Sequence, residues 1–178
     1  MKKQKFYLKE KNNYEQLNFP LFPKYFGTMQ YNLYDCIIIE YIPGNLLKNI
    51  HEMNLSDNIK FKIIFQIMIA LEYLHYYGFI YRDLKPNNII INENGSIVLI
   101  DFDRMIHNTQ DYQFTMDFQH DYIAPEAVSG SPFSTKSDIY SVGKIIELIF
   151  TKEFLNKLSK LKDIYEKCVN IDDSKRPD

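Results

Sequence analysis

Hydrophobic residues along the chain follow two rhythms. After Ser56, apolar side chains recur at Ile59, Ile63, Ile64, Ile67, Met68, Leu71 and Leu74 and stop at Gly78. That spacing of about 3.6 residues predicts a long core helix, with Ser56 as its N-cap and Gly78 as its stop. Its expected role is scaffold rather than chemistry. Short apolar runs follow a different pattern: residues 25–28 and 36–41 read as strands, with Ile37, Ile38 and Ile39 in a row favouring burial, and Pro43-Gly44-Asn45 ends the second in a turn. Ile89 to Ile91 and Ile97 to Ile100 flank Asn92-Glu93-Asn94-Gly95, which predicts a hairpin whose Asn-Gly pair supplies positive φ. Further helices are expected over residues 5–17, stopping before Asn18-Phe19-Pro20, and over 137–150 and 154–169. No internal repeat or linker interrupts the pattern, so the expectation is one continuous domain or a piece of one.

Composition narrows the function classes. With 178 residues and 46% hydrophobic content the chain can build one ordinary core. Its 21 basic and 23 acidic residues leave a net charge of −2, which gives no broad field for nucleic acid or anionic lipid. Any phosphate site must therefore be local. Cys36 and Cys168 lack the spacing of a zinc site, and His51, His75, His107 and His120 form no metal-binding pair. Reduced thiols, a start without an apolar signal core, and the absence of a span of about 20 apolar residues point to a cytoplasmic protein with neither a membrane nor a nucleic-acid partner.

Chemistry concentrates around the predicted hairpin, in Tyr-Arg-Asp-Leu-Lys-Pro-Asn-Asn before its first strand and Asp-Phe-Asp after its second. A hairpin returns the chain to its start, so Asp83 and Asp101 should face one cavity. Two adjacent carboxylates repel, which makes a divalent cation a natural third party. Asn88 would add a neutral oxygen ligand and Lys85 a mobile positive charge for a phosphate, and magnesium prefers such oxygen ligands with a substrate phosphate in its shell.

These segments resemble the HRDLKxxN loop and DFG motif of eukaryotic protein kinases, in the LKP form similar to that of Ser/Thr kinases. Further similarities follow in the family's order: Ala124-Pro125-Glu126 resembles the APE motif, Asp138 to Gly143 the start of the family's buried helix, and Arg176 the arginine that pairs with the APE glutamate. Glu40-Tyr41-Ile42 resembles the hinge, with Ile39 at the gatekeeper position. The resemblance implies an α+β protein-kinase-like fold, mostly the helical C-terminal lobe (43–178), with a remnant of the N-terminal lobe and hinge (1–42) built from helix αC and two strands. It implies ATP and Mg2+ as cofactors and protein hydroxyls as substrates. By position, Asp83 would accept the substrate proton, Lys85 steady the transferred phosphoryl group, Asn88 and Asp101 hold magnesium, and Glu40 and Ile42 meet adenine through their backbone. Arg82 would clamp a phosphorylated activation loop, with Thr109 and Thr115 as acceptors. Tyr14, Tyr25, Tyr81 and Phe102 would stack as a column between the lobes, anchored by Asp138.

The sequence also departs from the family. No GxGxxG loop or VAIK-like strand precedes the αC-like segment, so Glu10, placed as the αC glutamate, lacks its lysine. Asp103 replaces the DFG glycine, adding a negative charge near the metal; Phe118-Gln119 stands where Gly-Thr is common before APE; and Tyr81 replaces the loop histidine. The interval from Asp138 to Arg176 is short for the family, and no final helix follows Arg176-Pro177-Asp178. Two strands alone make a marginal sheet, so the small lobe should be mobile or completed by a partner chain. Three readings stay open: a chain cut from a full kinase, a truncated pseudokinase serving as an interaction module, and a compact kinase that holds ATP by other means. A small-molecule phosphotransferase of related fold is disfavoured by the APE-like segment and the stretch from Asp138 to Gly143.

Overall fold

In the computed structural model, which describes residues 2–108 and 121–178, the chain opens with α1 (Lys2–Gln16) and a hairpin of β1 (Tyr25–Tyr31) and β2 (Tyr34–Ile39). The hairpin is tighter and longer than the sequence suggests: Tyr31 pairs with Tyr34 across the loop Asn32-Leu33. Asn32 takes the left-handed conformation there (φ 54°), which Asn tolerates better than most residues.

The rest of the chain adds short strands β3 (Asn45–Leu46), β4 (Phe79–Ile80), β5 (Ile89–Ile91), β6 (Ile97–Leu99) and β7 (Ile106–His107) to helices α2 (Asp57–Tyr76), α3 (Pro125–Val128), α4 (Thr135–Ile149), α5 (Lys152–Lys157) and α6 (Ser159–Cys168). Helix α2 follows the predicted period and buries Ile63, Ile64, Ile67, Ala70, Leu71 and Leu74. Met68 lies off that face and stays exposed. Ser56 has the extended conformation of an N-cap but makes no capping hydrogen bond through its side chain. Helix α4 packs on α2 through Val142, Ile145, Ile146 and Ile149. It starts at a capping box between Ser134 and Ser137, in which the Ser134 N–H donates to Ser137 Oγ at 3.1 Å. Gly143 lets α4 approach the end of α6: a Cβ there would stand 2.6 Å from Val169 Cγ1 and 2.8 Å from Cys168 Cβ.

The helix expected over 154–169 is two helices. They break at Leu158 (φ −115°, ψ 86°). Leu155 and Leu161 both belong to the core, yet six residues along one α-helix they would point about 120° apart. The break turns both inward, while Phe154 stacks on Phe150 at 5.0 Å. Both cysteines are free thiols, as the sequence suggests. Among the described residues, no helix is long and apolar enough to cross a membrane.

Candidate active site

Two nested hairpins build the site. The inner pair is β5 with β6, in register from Ile89 opposite Leu99 to Ile91 opposite Ile97, and Gly95 supplies the predicted positive φ in their turn (77°). The outer pair is β4 with β7, Phe79 opposite His107 and Ile80 opposite Ile106. Residues 81–88 therefore leave β4 for β5 directly across from residues 100–105, which leave β6 for β7. Each loop is fastened at both ends, and the Ile100 N–H to Asn88 O bond (2.9 Å) adds a tie between them.

Asp83, Lys85, Asn88 and Asp101 meet at this junction, as the sequence pattern requires. Asp83 is 2% exposed. Lys85 Nζ donates to its Oδ2 at 2.6 Å, and Asn88 Nδ2 donates to both its backbone oxygen and Oδ2 at 2.9 Å. With its nitrogen so engaged, Asn88 keeps its amide oxygen as the atom to offer a cation. Carboxylate oxygens of Asp83, Asp101 and Asp103 lie within 4.8 Å of one another. Burial first, then the neighbouring carboxylates of Asp103 and Asp83, push Asp101 up to about 6. Asp103 Oδ1 is buried without a hydrogen bond, and its nearest ion-pair contact is Arg104 Nε at 4.0 Å, which also stands 3.9 Å from Asp83 Oδ2. This all-oxygen set fits a divalent cation of the magnesium type, and each feature of the cluster is one that such an ion would relieve.

Backbone geometry at the site is unusual. Arg82 (φ 72°) and Asp101 (φ 67°) are both left-handed, a conformation that a non-glycine residue holds only when its surroundings require it. For Arg82 the surroundings are clear. Asp138, buried in the first turn of α4, accepts the Tyr81 N–H on Oδ2 and the Arg82 N–H on Oδ1, each at 2.9 Å. His75 Nε2 completes the bracket at 2.8 Å from Asp138 Oδ2. The Arg82 guanidinium lies 4.6 Å over the Phe133 ring, and its Nη1 donates to Arg104 O at 3.4 Å. Thr109, Thr115 and Phe118-Gln119 lie outside the described residues.

Three of the four rings expected in a column are in contact. Phe102 meets Tyr14 at 5.3 Å and Tyr81 at 5.5 Å, both edge-on. Tyr25 does not join them; its hydroxyl donates to Glu15 Oε1 at 3.4 Å, and Phe22 takes the remaining edge of Phe102 at 5.1 Å. The difference follows from the loop 17–22, which folds Phe22 into the core and keeps Tyr25 at its margin.

Glu10 faces the acids. Burial, then Asp101 and Asp103, push its carboxyl up to about 7, and no cation among the described side chains forms an ion pair with it. It lines a cavity of about 570 Å³ between α1 and β2, with Tyr7, Tyr14, Ile37 and Ile39 among the walls. On the hinge-like segment, the Glu40 N–H donates to Lys24 O at 2.8 Å and its Oε2 accepts from the Lys24 N–H at 3.2 Å, while Ile42 is half-buried. Farther off, Arg176 is 2% exposed and grips Glu126 through two bonds, Nη1 to Oε1 at 2.7 Å and Nη2 to Oε2 at 2.8 Å.

The chemistry-bearing residues that sequence reasoning missed are Arg104, His75 and Asn13. None of the three left a signal readable in the sequence: Asn13 is one polar residue among many on a charged helix.

The protein kinase domain family matches residues 1–175. A probable serine/threonine-protein kinase of Encephalitozoon cuniculi is 33% identical over 144 residues, covering 75% of this chain and 27% of that protein. The cAMP-dependent protein kinase type 3 of Saccharomyces cerevisiae is 33% identical over 129 residues, 71% of this chain and 32% of its own. The Aurora kinase of Schizosaccharomyces pombe is 33% identical over 123 residues, 66% of this chain and 33% of its own. The chain thus belongs to the protein kinase family, and it spans about a third or less of the length of these curated relatives.

Proposed function

We propose that the protein transfers the terminal phosphoryl group of ATP to serine or threonine hydroxyls of proteins in the cytoplasm. The observation that supports this most is the convergence of Asp83, Asn88 and Asp101, with Lys85 donating to Asp83, in one partly buried cluster. In this reading Asp83 accepts the proton of the attacking hydroxyl, and its bonds from Lys85 and Asn88 fix the carboxylate that does so. Lys85 steadies the transferred group. Asn88 and Asp101 hold Mg2+, which supplies charge neutralisation to the phosphates. Glu40 and Ile42 meet the adenine ring through backbone groups. Residues 1–42 act as small lobe and hinge, and residues 43–178 as the helical lobe.

A second reading rests on Glu10. This residue faces Asp101 and Asp103 from α1 with no ion-pair partner among the described side chains, which supports a non-catalytic interaction module or a lobe completed by a partner chain.

Thermal unfolding with and without Mg-ATP separates the two. A nucleotide at a hundred times its Kd stabilises the fold by about 2.7 kcal/mol, whereas no shift at millimolar Mg-ATP leaves the module. Where the shift appears, the wild type should phosphorylate a generic basic protein and Asp83→Asn should not. Equal labelling by both removes Asp83 from the role of proton acceptor.

A further inference from the structure

Helix α1 is fastened to the acid cluster by one side chain that neither the family resemblance nor the comparisons assign. Asn13 is 7% exposed, and its Nδ2 donates to two backbone oxygens, Phe102 O at 2.6 Å and Met105 O at 3.2 Å. Both neighbours are acceptors, so the amide nitrogen rather than the oxygen must face them. Phe102 and Met105 are the two ends of one turn, closed by the Met105 N–H on Phe102 O at 3.3 Å. The carbonyl that Asn13 holds most tightly belongs to the peptide joining Phe102 to Asp103. That peptide lies in the chain between Asp101 and Asp103, whose carboxylate oxygens approach each other and Asp83 within 4.8 Å.

Position on the helix matters as much as the contact. Glu10, Asn13 and Tyr14 follow an i, i+3, i+4 spacing and share one face of α1. Tyr14 sets its ring against Phe102 from that face, which fixes where the residue sits, while Asn13 fixes how its peptide is rotated. A ring contact can slide; a bidentate amide spanning both ends of a turn cannot. With Asp101 left-handed and an aspartate rather than glycine at 103, the turn holds repelling acids in a demanding conformation, and a directional restraint on its peptide plane is what such a turn needs.

We infer that Asn13 is a positioning residue for the metal cluster: it latches α1 to the Phe102–Met105 turn and sets the angle at which Asp101 and Asp103 present their carboxylates. This role deepens the proposed phosphoryl transfer and rests on it. A helix shift that breaks the latch would let the turn rotate and would weaken cation binding without altering any residue that touches the ion.

The test compares wild type with Asn13→Leu, which keeps an apolar fill but removes both donors, and Asn13→Gln, which retains the amide. Mn2+ uptake is followed by EPR in the presence of AMP-PNP, with the same concentration of AMP-PNP alone as the reference so that chelation by the nucleotide is subtracted, and amide hydrogen exchange is read in the ligand-free protein. Support is a roughly tenfold weaker Mn2+ affinity in Asn13→Leu, the lower end of what loss of an orienting partner costs a metal site, with AMP-PNP affinity measured without metal unchanged. Asn13→Gln should recover to within about threefold, and exchange should quicken together in residues 7–16 and 101–106 of the Leu variant but not in α2. Faster exchange with unchanged Mn2+ affinity overturns the positioning role and leaves a structural contact. If the wild type takes up no Mn2+, the proposed phosphoryl transfer fails, and exchange alone then decides the latch: unchanged rates in both segments overturn it, and a joint rise supports it.

Discussion

The small unit of α1, β1 and β2 and the helical unit from β3 onward are built on opposite terms. In the helical unit, α2 and α4 press continuous apolar faces together, and Leu74, Ile63 and Ile145 have no exposed surface. In β1 and β2 no residue is fully buried, and Phe26, Met29, Tyr31, Leu33 and Tyr34 all face solvent. The helical unit is thus held by burial and the small one by its ladder and by the few residues of α1 and loop 17–22 that reach the core. A fold assembled this way should lose stability through its helices and gain mobility through its sheet.

The largest expected effect lies at the Glu126 and Arg176 clamp. Arg176→Ala removes the buried cation of a doubly hydrogen-bonded ion pair, leaves the Glu126 side chain to the Ser137 hydroxyl at 3.0 Å, and takes a donor from Lys136 O and Asn170 O. A loss of about 3–5 kcal/mol is expected, read from the urea midpoint at constant m. A loss below about 1 kcal/mol would mean that α3 and the C-terminal segment are docked by something other than this pair.

Next in size is the direct contrast between units. Leu74→Ala should cost about 2–5 kcal/mol, because the packed groove between α2 and α4 cannot collapse around the missing atoms. Ile38→Ala, on the exposed face of β2, should cost about 1 kcal/mol or less. Equal losses would erase the distinction between the two units.

The same asymmetry governs what the sequence could disclose. Asp83, Lys85, Asn88 and Asp101 were legible because a hairpin places its two flanks together whatever surrounds it, and that relation survives in the one-dimensional spacing. The Glu126 and Arg176 pairing was legible through the family resemblance. The outer β4 and β7 ladder was not, since two-residue strands carry no period. Nor was the break at Leu158, because Phe154, Leu158 and Leu161 fall at i, i+4 and i+7 and read as one continuous helical face, and only the packed partners show the turn that brings Leu155 inward with Leu161. Asn13 was hidden for a related reason: on a helix as polar as α1, an asparagine reads as solvent-facing until the two carbonyls it bridges are brought to it from residues 102 and 105.

Acid should unlock the helical unit in a defined window. Burial alone would raise the Glu126 carboxyl, but the hydrogen bond from Arg176, the backbone amide and Ser137 outweigh it and hold the group below its ordinary value of 4.5. A carboxyl depressed in the folded state binds fewer protons there than when unfolded, so its contribution is fully present above about 4.5 and is lost as pH falls through the depressed value. Chemical denaturation between pH 6 and 3 should show stability falling below about pH 4.5, and Glu126→Gln should flatten that part of the profile. A variant with the parent's acid slope would assign the loss to other carboxylates.

The smallest effect is expected at the tip of the β1 and β2 hairpin, where the comparison is sharpest because burial is absent. Leu33 is 95% exposed, so Leu33→Ser should change stability by no more than about 0.5 kcal/mol, even though a large apolar side chain is removed. The residue beside it obeys another rule. Asn32 sits at φ 54°, a conformation in which a β-branched side chain clashes with its own backbone, and Asn32→Val should cost about 1–2 kcal/mol, while Asn32→Gly stays near neutral. Neighbouring positions, equally wet, would then differ by backbone geometry alone. A Leu33→Ser loss as large as that of Asn32→Val would show instead that this apolar tip is covered in solution, and the sheet would no longer be the uncovered half of the molecule.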